Sequence, residues 1–486
     1  MPDEPGASPA AKLRLDDAAR ESLWQQVAQA VEEYFRRVDS TPVAPRLDPT
    51  SLRAELGRFD FSQPVAPAEA VQFAVDHLWQ DQVHTAHRGY YGLFNPAPTA
   101  MGVAADALVA AFNPQLAAWS HNPFAAEVER HLVLAMAERF GYRRGAADGL
   151  LTSGGMEANH TALLSALVDK FPGYARDGVR SAPGRPVLYV SAEGHDSLTK
   201  AARLTGLGSE AARAVPTDSG YRLDVAALRD QMARDRSVGC IPFLLVATAG
   251  TTGSGAIDPC RELAQLAAAE GLWLHVDAAW GGAAMLVPEL RPALAGIELA
   301  DSITFDAHKW LSVPMAAGMY LTRHLDVLVR AFRVEQRYMP REAAHLDVID
   351  PFSRGIPWSR RFIGLKLFLS LAVAGWDGYR DVVRAMTALG DELRRRLNAD
   401  GWRVVNDTPL PLVCFVDGTR ADGGDGAYLD AICARVIASG QAWLSVPRLD
   451  RGAAALRVCV TSYRTTSSDL QRLLAALGRA RREVGR

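Results

Sequence analysis

Between residue 76 and about residue 370 the chain alternates short apolar runs with longer stretches of helical periodicity. No other feature restricts the fold as much. The runs are VLYVS at 187–191, IPFLLVAT at 241–248, LWLHVD at 272–277 and DSITF at 301–305, with helical patterns such as 156–170 and 259–270 between them. Short continuous apolar runs suit strands covered on both faces. Strand–helix–strand repetition then gives a mainly parallel sheet with helices on both faces. On either side of this large domain (76–370) the pattern changes. In ARESLWQQVAQAVEEYFRRV, Leu23, Val27, Val31 and Phe35 recur every four residues and form one apolar helix face. Pro42, Pro45, Pro49, Pro64 and Pro67 break the next stretch of chain into short pieces. Residues 1–75 therefore read as a helical arm able to pack on a partner subunit. Residues 371–486 are helical through 397, then strand-like at 402–405, 412–416 and 455–461, and they close with the helix DLQRLLAALGRARREV. This predicts a smaller C-terminal α/β domain.

A chain of 486 residues with 49% hydrophobic composition can bury a large core. A net charge of −2 gives no electrostatic attraction to nucleic acid or to an anionic membrane. The apolar runs are too short to span a bilayer. The acidic, Pro-rich start MPDEPGASPA reads as a frayed tail rather than a signal peptide. Five cysteines, an odd number without CxxC spacing, suit free thiols in a reducing cytoplasm. His84 and His87 lie three apart with no carboxylate at a matching position, so a pocket or core role is expected there and no metal site.

In open α/β sheets ligands bind beyond the carboxyl ends of the strands. After 272–277 comes HVDAAWGG, which sets Asp277 at a strand end. It can pair with a protonated ring nitrogen, or simply cap a turn. After 301–305 comes DAHKWL with Lys309, one of only five lysines in the chain (Lys12, Lys170, Lys200, Lys309, Lys366). Arginine is always protonated and cannot serve as an amine nucleophile. Trp310 and Leu311 beside Lys309 predict a shielded site, and shielding from water favours the neutral, nucleophilic amine. After 149–152 comes TSGGMEANHTALLSAL, a Gly-Gly opening to a helix whose free N–H groups suit a phosphate. After 187–191 comes AEGHDS, where His195 can stack on a flat ring or cap the next helix. After 241–248, Thr251 and Thr252 supply hydroxyls or an ordinary turn. A phosphate nest, a stackable ring, a carboxylate and a lysine on successive strand ends match what pyridoxal 5'-phosphate (PLP) requires of a protein.

HVDAAWGG followed some thirty residues later by DAHKW resembles the group II PLP-dependent amino-acid decarboxylases, among them the aromatic-amino-acid, histidine and glutamate decarboxylases. The resemblance covers roughly residues 80–470 and implies the aspartate-aminotransferase-like fold type I. It implies that Lys309 holds the coenzyme as a Schiff base and that Asp277 pairs with the pyridine nitrogen. His195 would stack on the ring, Thr252 and Ala279 would line it, and Gly155 and Met156 would hold the phosphate with His308 nearby. Tyr338, in VEQRYMPREAAHLDVIDPFSR, falls in a segment similar to the family's mobile catalytic loop, where a tyrosine or the active-site His308 protonates the substrate carbon. Met156 stands where many relatives carry serine, and Asp-Ala precedes His308 where animal relatives have Asn-Pro. HTAHRGYYGLFNPAPT resembles the substrate-pocket segment but differs in detail, and it offers His87, Tyr91 and Phe94 as substrate contacts.

The implied reaction is decarboxylation of an L-amino acid to its amine and carbon dioxide. Aromatic residues at 90–94, with Phe112 and Trp119, point to an aromatic or bulky apolar side chain; the competing reading makes them core or dimer contacts. The resemblance further implies a homodimer with the site at the subunit interface, the arm and residues 90–125 being the expected contacts. Two other outcomes would use the same coenzyme. Oxidative decarboxylation–deamination gives an aldehyde, and relatives that perform it often carry phenylalanine in place of the loop tyrosine. Transamination or another Cα reaction needs a grip on the α-carboxylate, for which no arginine is assigned. A catalytically dead regulator is disfavoured by the intact Lys309, Asp277, His195 and Tyr338.

Overall fold

The computed structural model describes residues 13–335, 343 and 345–485. Seven strands form the main sheet: β1 (Asp148–Thr152), β2 (Arg185–Ser191), β3 (Ala212–Val215), β4 (Cys240–Thr248), β5 (Trp273–Asp277), β6 (Ser302–Asp306) and β7 (Gly318–Thr322). Their order is β1-β7-β6-β5-β4-β2-β3. Only β7 runs against its neighbours; the other six point the same way. The expected mainly parallel sheet is present. Two strands were not expected from the sequence: β3, which is short, and β7, which is the antiparallel insertion.

Strand alternation splits the burial between two cores. Leu244, Val246, Trp273 and Tyr320 face a helix-covered side that includes Ala158, Ala162 and Leu163. Leu245, Ala247, Leu274, Val276 and Phe305 face the other side and join the larger core. A second sheet, order β10-β9-β8, is antiparallel and contains β8 (Trp402–Val404), β9 (Leu412–Asp417) and β10 (Leu456–Cys459). It packs beside the closing helix Ser467–Val484. The long helix over 364–399 is broken at Gly375, whose φ of 64° lies in the left-handed region that favours glycine.

Among the described residues five α-helices precede β1, α1 (Asp17–Arg37), α2 (Pro49–Leu56), α3 (Pro67–Gln80), α4 (Ala100–Phe112) and α5 (Pro123–Arg139), and α6 (Gly155–Lys170) directly follows it. Asp16 and Asp48 cap α1 and α2 through their carboxylates. None of α1, α2 and α3 contains a buried residue. The apolar face Leu23–Val27–Val31–Phe35 is only half covered, and Trp24 is 49% exposed. By contrast α6 buries nine side chains against the sheet, which fixes its N-terminus at the carboxyl edge of the strands.

Candidate active site

Because β1, β2, β4, β5 and β6 run in parallel, their carboxyl ends share one edge of the sheet, and the segments after them meet there. One pocket with about 420 Å³ of empty space is lined by Gly155 and Met156 from the start of α6, His195 after β2, Thr252 after β4, Asp277 and Ala279 at the end of β5, and Lys309 after β6. These seven residues, singled out along the sequence, are thus brought together. Asn159, Ser197, Thr248, Trp280 and Asp306 line the same pocket and were missed. Asn159 was legible as the polar residue one turn into GGMEAN, and Asp306 as the carboxylate that ends DSITFD.

Each of these side chains is held by its local geometry. Asp277 is buried, with Oδ2 accepting from Asn159 Nδ2 at 2.8 Å and Oδ1 from the Ala279 N–H at 3.1 Å. Lys309 Nζ lies 3.0 Å from Asp306 Oδ2. Behind the lysine, Trp310 and Leu311 are fully buried, and the Trp310 indole donates to Met386 Sδ at 3.0 Å. The imidazole of His195 is exposed at the mouth, with Nδ1 accepting from the Ser197 N–H at 3.1 Å. Of the two threonines noted after β4, Thr251 is consumed within its own turn, bonding Ser254 and the Ala256 N–H, while Thr252 faces the pocket.

These groups fit PLP. No side chain caps α6, because its N-cap is Gly154; the preceding Ser153 gives its N–H and its hydroxyl hydrogen to Glu157 Oε2 (2.8 and 2.6 Å). The first-turn N–H groups at the pocket wall therefore remain for an anion. A Cβ on Gly155 would crowd Asp306 Oδ2 at 3.0 Å, and glycine avoids that contact. The buried hydroxyl of Thr248, beside Asp277 in the β4–β5 register, has no partner of its own.

The remaining sequence candidates lie elsewhere. His308 is buried behind the pocket wall, where a Cβ on Gly154 would meet its Cε1 at 3.4 Å. Its Nδ1 accepts from the Ala317 N–H at 3.1 Å, its Nε2 is 3.8 Å from Asp306 Oδ2, and burial pulls its pKa below the usual histidine range. Tyr91 is packed into the core, and His87 Nδ1 is taken by the Gly89 N–H at 2.8 Å, so neither lines the pocket. Phe94 stands one layer back, stacked on Trp280 with centroids 4.4 Å apart and planes at 15°. Phe112 is 82% exposed, and the Trp119 indole donates to Glu127. Tyr338 lies outside the described residues. No group of three or more potential metal-ligating side chains occurs among the described residues. All five cysteines are buried and free.

The model of the pyridoxal-dependent decarboxylase conserved domain matches residues 58–417. An aromatic-L-amino-acid decarboxylase of Bacillus atrophaeus is 30% identical, with 97% of both chains covered. An L-2,4-diaminobutyrate decarboxylase of Rhizobium meliloti is 32% identical, covering 97% of this chain and 94% of its own. Among solved structures, Oryza sativa TDC with PLP and tryptamine superposes with a TM-score of 0.90 at 25% identity, covering 96% of this chain and 99% of that one.

Proposed function

The chain belongs to the pyridoxal-dependent decarboxylase family and is a PLP-dependent carboxy-lyase acting on an amino acid. From that premise we propose that its substrate is an L-amino acid with an aromatic or bulky apolar side chain. When bound, PLP supplies the electron sink for the charge left as carbon dioxide departs. In the reading we favour, Lys309 tethers the coenzyme through Nζ, and Asp306, 3.0 Å away, holds that amine in place beforehand. Asp277 would accept a hydrogen bond from the protonated ring nitrogen through Oδ and so keep the proton on the ring. His195, open at the mouth, covers the ring face and excludes water from it. The uncapped first turn of α6, with Gly155 and Met156, holds the phosphate. Thr252 and Ala279 bound the ring.

His308 sits behind Gly154 rather than in the pocket, which supports a role in shaping the phosphate end over delivery of a proton to the substrate carbon. We assign that proton to the hydroxyl of Tyr338, on the resemblance alone. The observation that carries the reading is the convergence of Lys309, Asp277, His195 and the start of α6 on one pocket. The stacked Phe94–Trp280 pair, with Trp280 in the pocket wall, supports an apolar substrate side chain. The half-covered apolar face of α1 supports a homodimer in which the arm docks on the partner subunit. Five free thiols support a reducing, cytoplasmic setting. No described helix is long and apolar enough to cross a membrane.

Borohydride trapping followed by peptide mapping tests the tether, with the pyridoxyl label expected on the peptide containing Lys309. A screen of the common amino acids, DOPA and 5-hydroxytryptophan tests the rest. Carbon dioxide and amine in equal amounts, without peroxide or keto acid, are expected. Aldehyde with peroxide would assign the oxidative outcome instead.

A further inference from the structure

A buried chain of polar groups on the α6 side of the sheet ends on Asp277. Trp273, His275 and Asp277 alternate along β5, as Ser302 and Thr304 do along β6, so the two-residue period turns all five to one face. The register sets His275 opposite Ser302 and Asp277 opposite Thr304. Trp273 Nε1 donates to Ser302 Oγ at 2.9 Å, and Ser302 Oγ lies 2.8 Å from His275 Nδ1. His275 Nε2 lies 3.0 Å from Asn159 Oδ1, which also accepts from Thr304 Oγ1 at 2.7 Å. Asn159 Nδ2 donates to Asp277 Oδ2 and to Ser197 Oγ, each at 2.8 Å. All of these residues are buried, and Ser197 also borders the pocket.

An ionised Asp277 sets the direction of every bond in the chain, and the indole end agrees with it. An indole N–H can only donate and a carboxylate can only accept. Asn159 must therefore turn its NH₂ to Asp277, since the reversed amide would set two acceptors 2.8 Å apart. Its carbonyl then faces His275 Nε2, which must carry the ring proton. Thr304 spends its hydrogen on the same carbonyl, and at 3.2 Å it can only accept from Nε2. Nδ1 is left as a lone pair and takes the Ser302 hydroxyl, whose oxygen takes the indole N–H. Burial of His275 pulls its pKa down to about 4, so the ring is neutral, as this pattern demands.

We propose that Trp273, Ser302, His275 and Asn159 form a one-directional hydrogen-bond wire that keeps Asp277 free of a proton, which makes His275 a positioning residue for the ring nitrogen of the coenzyme. This rests on the reading that Asp277 partners that nitrogen. With the wire reversed, Asn159 would present a carbonyl to Asp277. A carboxyl that takes up a proton to face it can no longer hold one on the ring.

Neutron diffraction from the perdeuterated holoenzyme reads the wire directly. Deuterium is expected on His275 Nε2 and not Nδ1, on Ser302 Oγ pointing at Nδ1, and nowhere on Asp277. A deuteron on Nδ1, or an Asn159 amide turned the other way, overturns the proposal. The second measurement is the rate at which PLP leaves the holoenzyme, followed by its absorbance. Ser302→Ala should release PLP roughly tenfold faster and lower kcat by a similar factor with KM unchanged. Release as slow as in the wild type counts against the wire. Asp277→Asn separates the wire from the pairing it serves. If it retains PLP as the wild type does, the reading of Asp277 fails; if it sheds PLP while Ser302→Ala does not, only the wire fails.

Discussion

At the scale of single residues, the pocket divides into groups that meet the coenzyme and groups that hold those groups still. Lys309→Ala should remove the borohydride-trapped label and lower turnover by at least about a thousandfold, and Lys309→Arg should do no better because a guanidinium cannot act as an amine. Labelled-peptide yield and carbon dioxide release check both. His275 also carries a stability signature. Its folded pKa of about 4 lies below its ordinary value of 6.5, so between those values the unfolded chain binds a proton that the native chain refuses. The stabilisation is complete above pH 6.5 and is lost as the pH falls toward 4, by up to about 3 kcal/mol. Asp258 slopes the other way. Burial raises it to about 7, so its contribution is present in acid and declines as the pH rises toward that value. Denaturant melts at several pH values should show His275→Asn losing the acid-side decline while Asp258 is untouched.

At the scale of elements, the start of α6 is the most demanding piece. Gly155→Ala would bring a methyl group within 3.0 Å of the Asp306 carboxylate, and PLP affinity should fall by roughly tenfold or more, measured by fluorescence titration of the PLP-free protein. The arm makes a different prediction. If the half-covered face of α1 docks on a partner subunit, Val27→Asp with Val31→Asp should shift the sedimentation coefficient from dimer to monomer. The sequence displayed β2, β4, β5 and β6 because strands covered on both faces are written as unbroken apolar runs. It displayed Lys309 because lysine is scarce here, and Asp277 because it closes such a run. Ser197 and Thr248 stayed hidden, since a polar residue at the start of a helix or at the last position of a strand looks the same whether it faces solvent or a pocket. The order in which strands pair decides that, and pairing order is not written locally. The same gap explains Tyr91 and His87. Their aromatic character was visible, but not that one would be packed into the core and the other spent on a turn.

At the scale of the whole molecule, coenzyme binding should be coupled to folding. A ligand held only by the native state stabilises it by about 2.7 kcal/mol at a hundredfold excess over its Kd. Scanning calorimetry should therefore show a higher Tm for the holoenzyme than for the PLP-free chain, with Asp277→Asn narrowing the difference. The common direction of six of the seven strands has one more consequence. It concentrates the pocket residues on the edge where the strands finish, some 15–30 Å at about 3.3 Å per residue from the edge where they begin. Gly239, at the turn into β4, has a φ of 79° and open space where a Cβ would sit. An epitope tag or a fluorescent-protein insertion spliced in there should leave turnover intact, whereas the same graft between Gly154 and Gly155 should silence it.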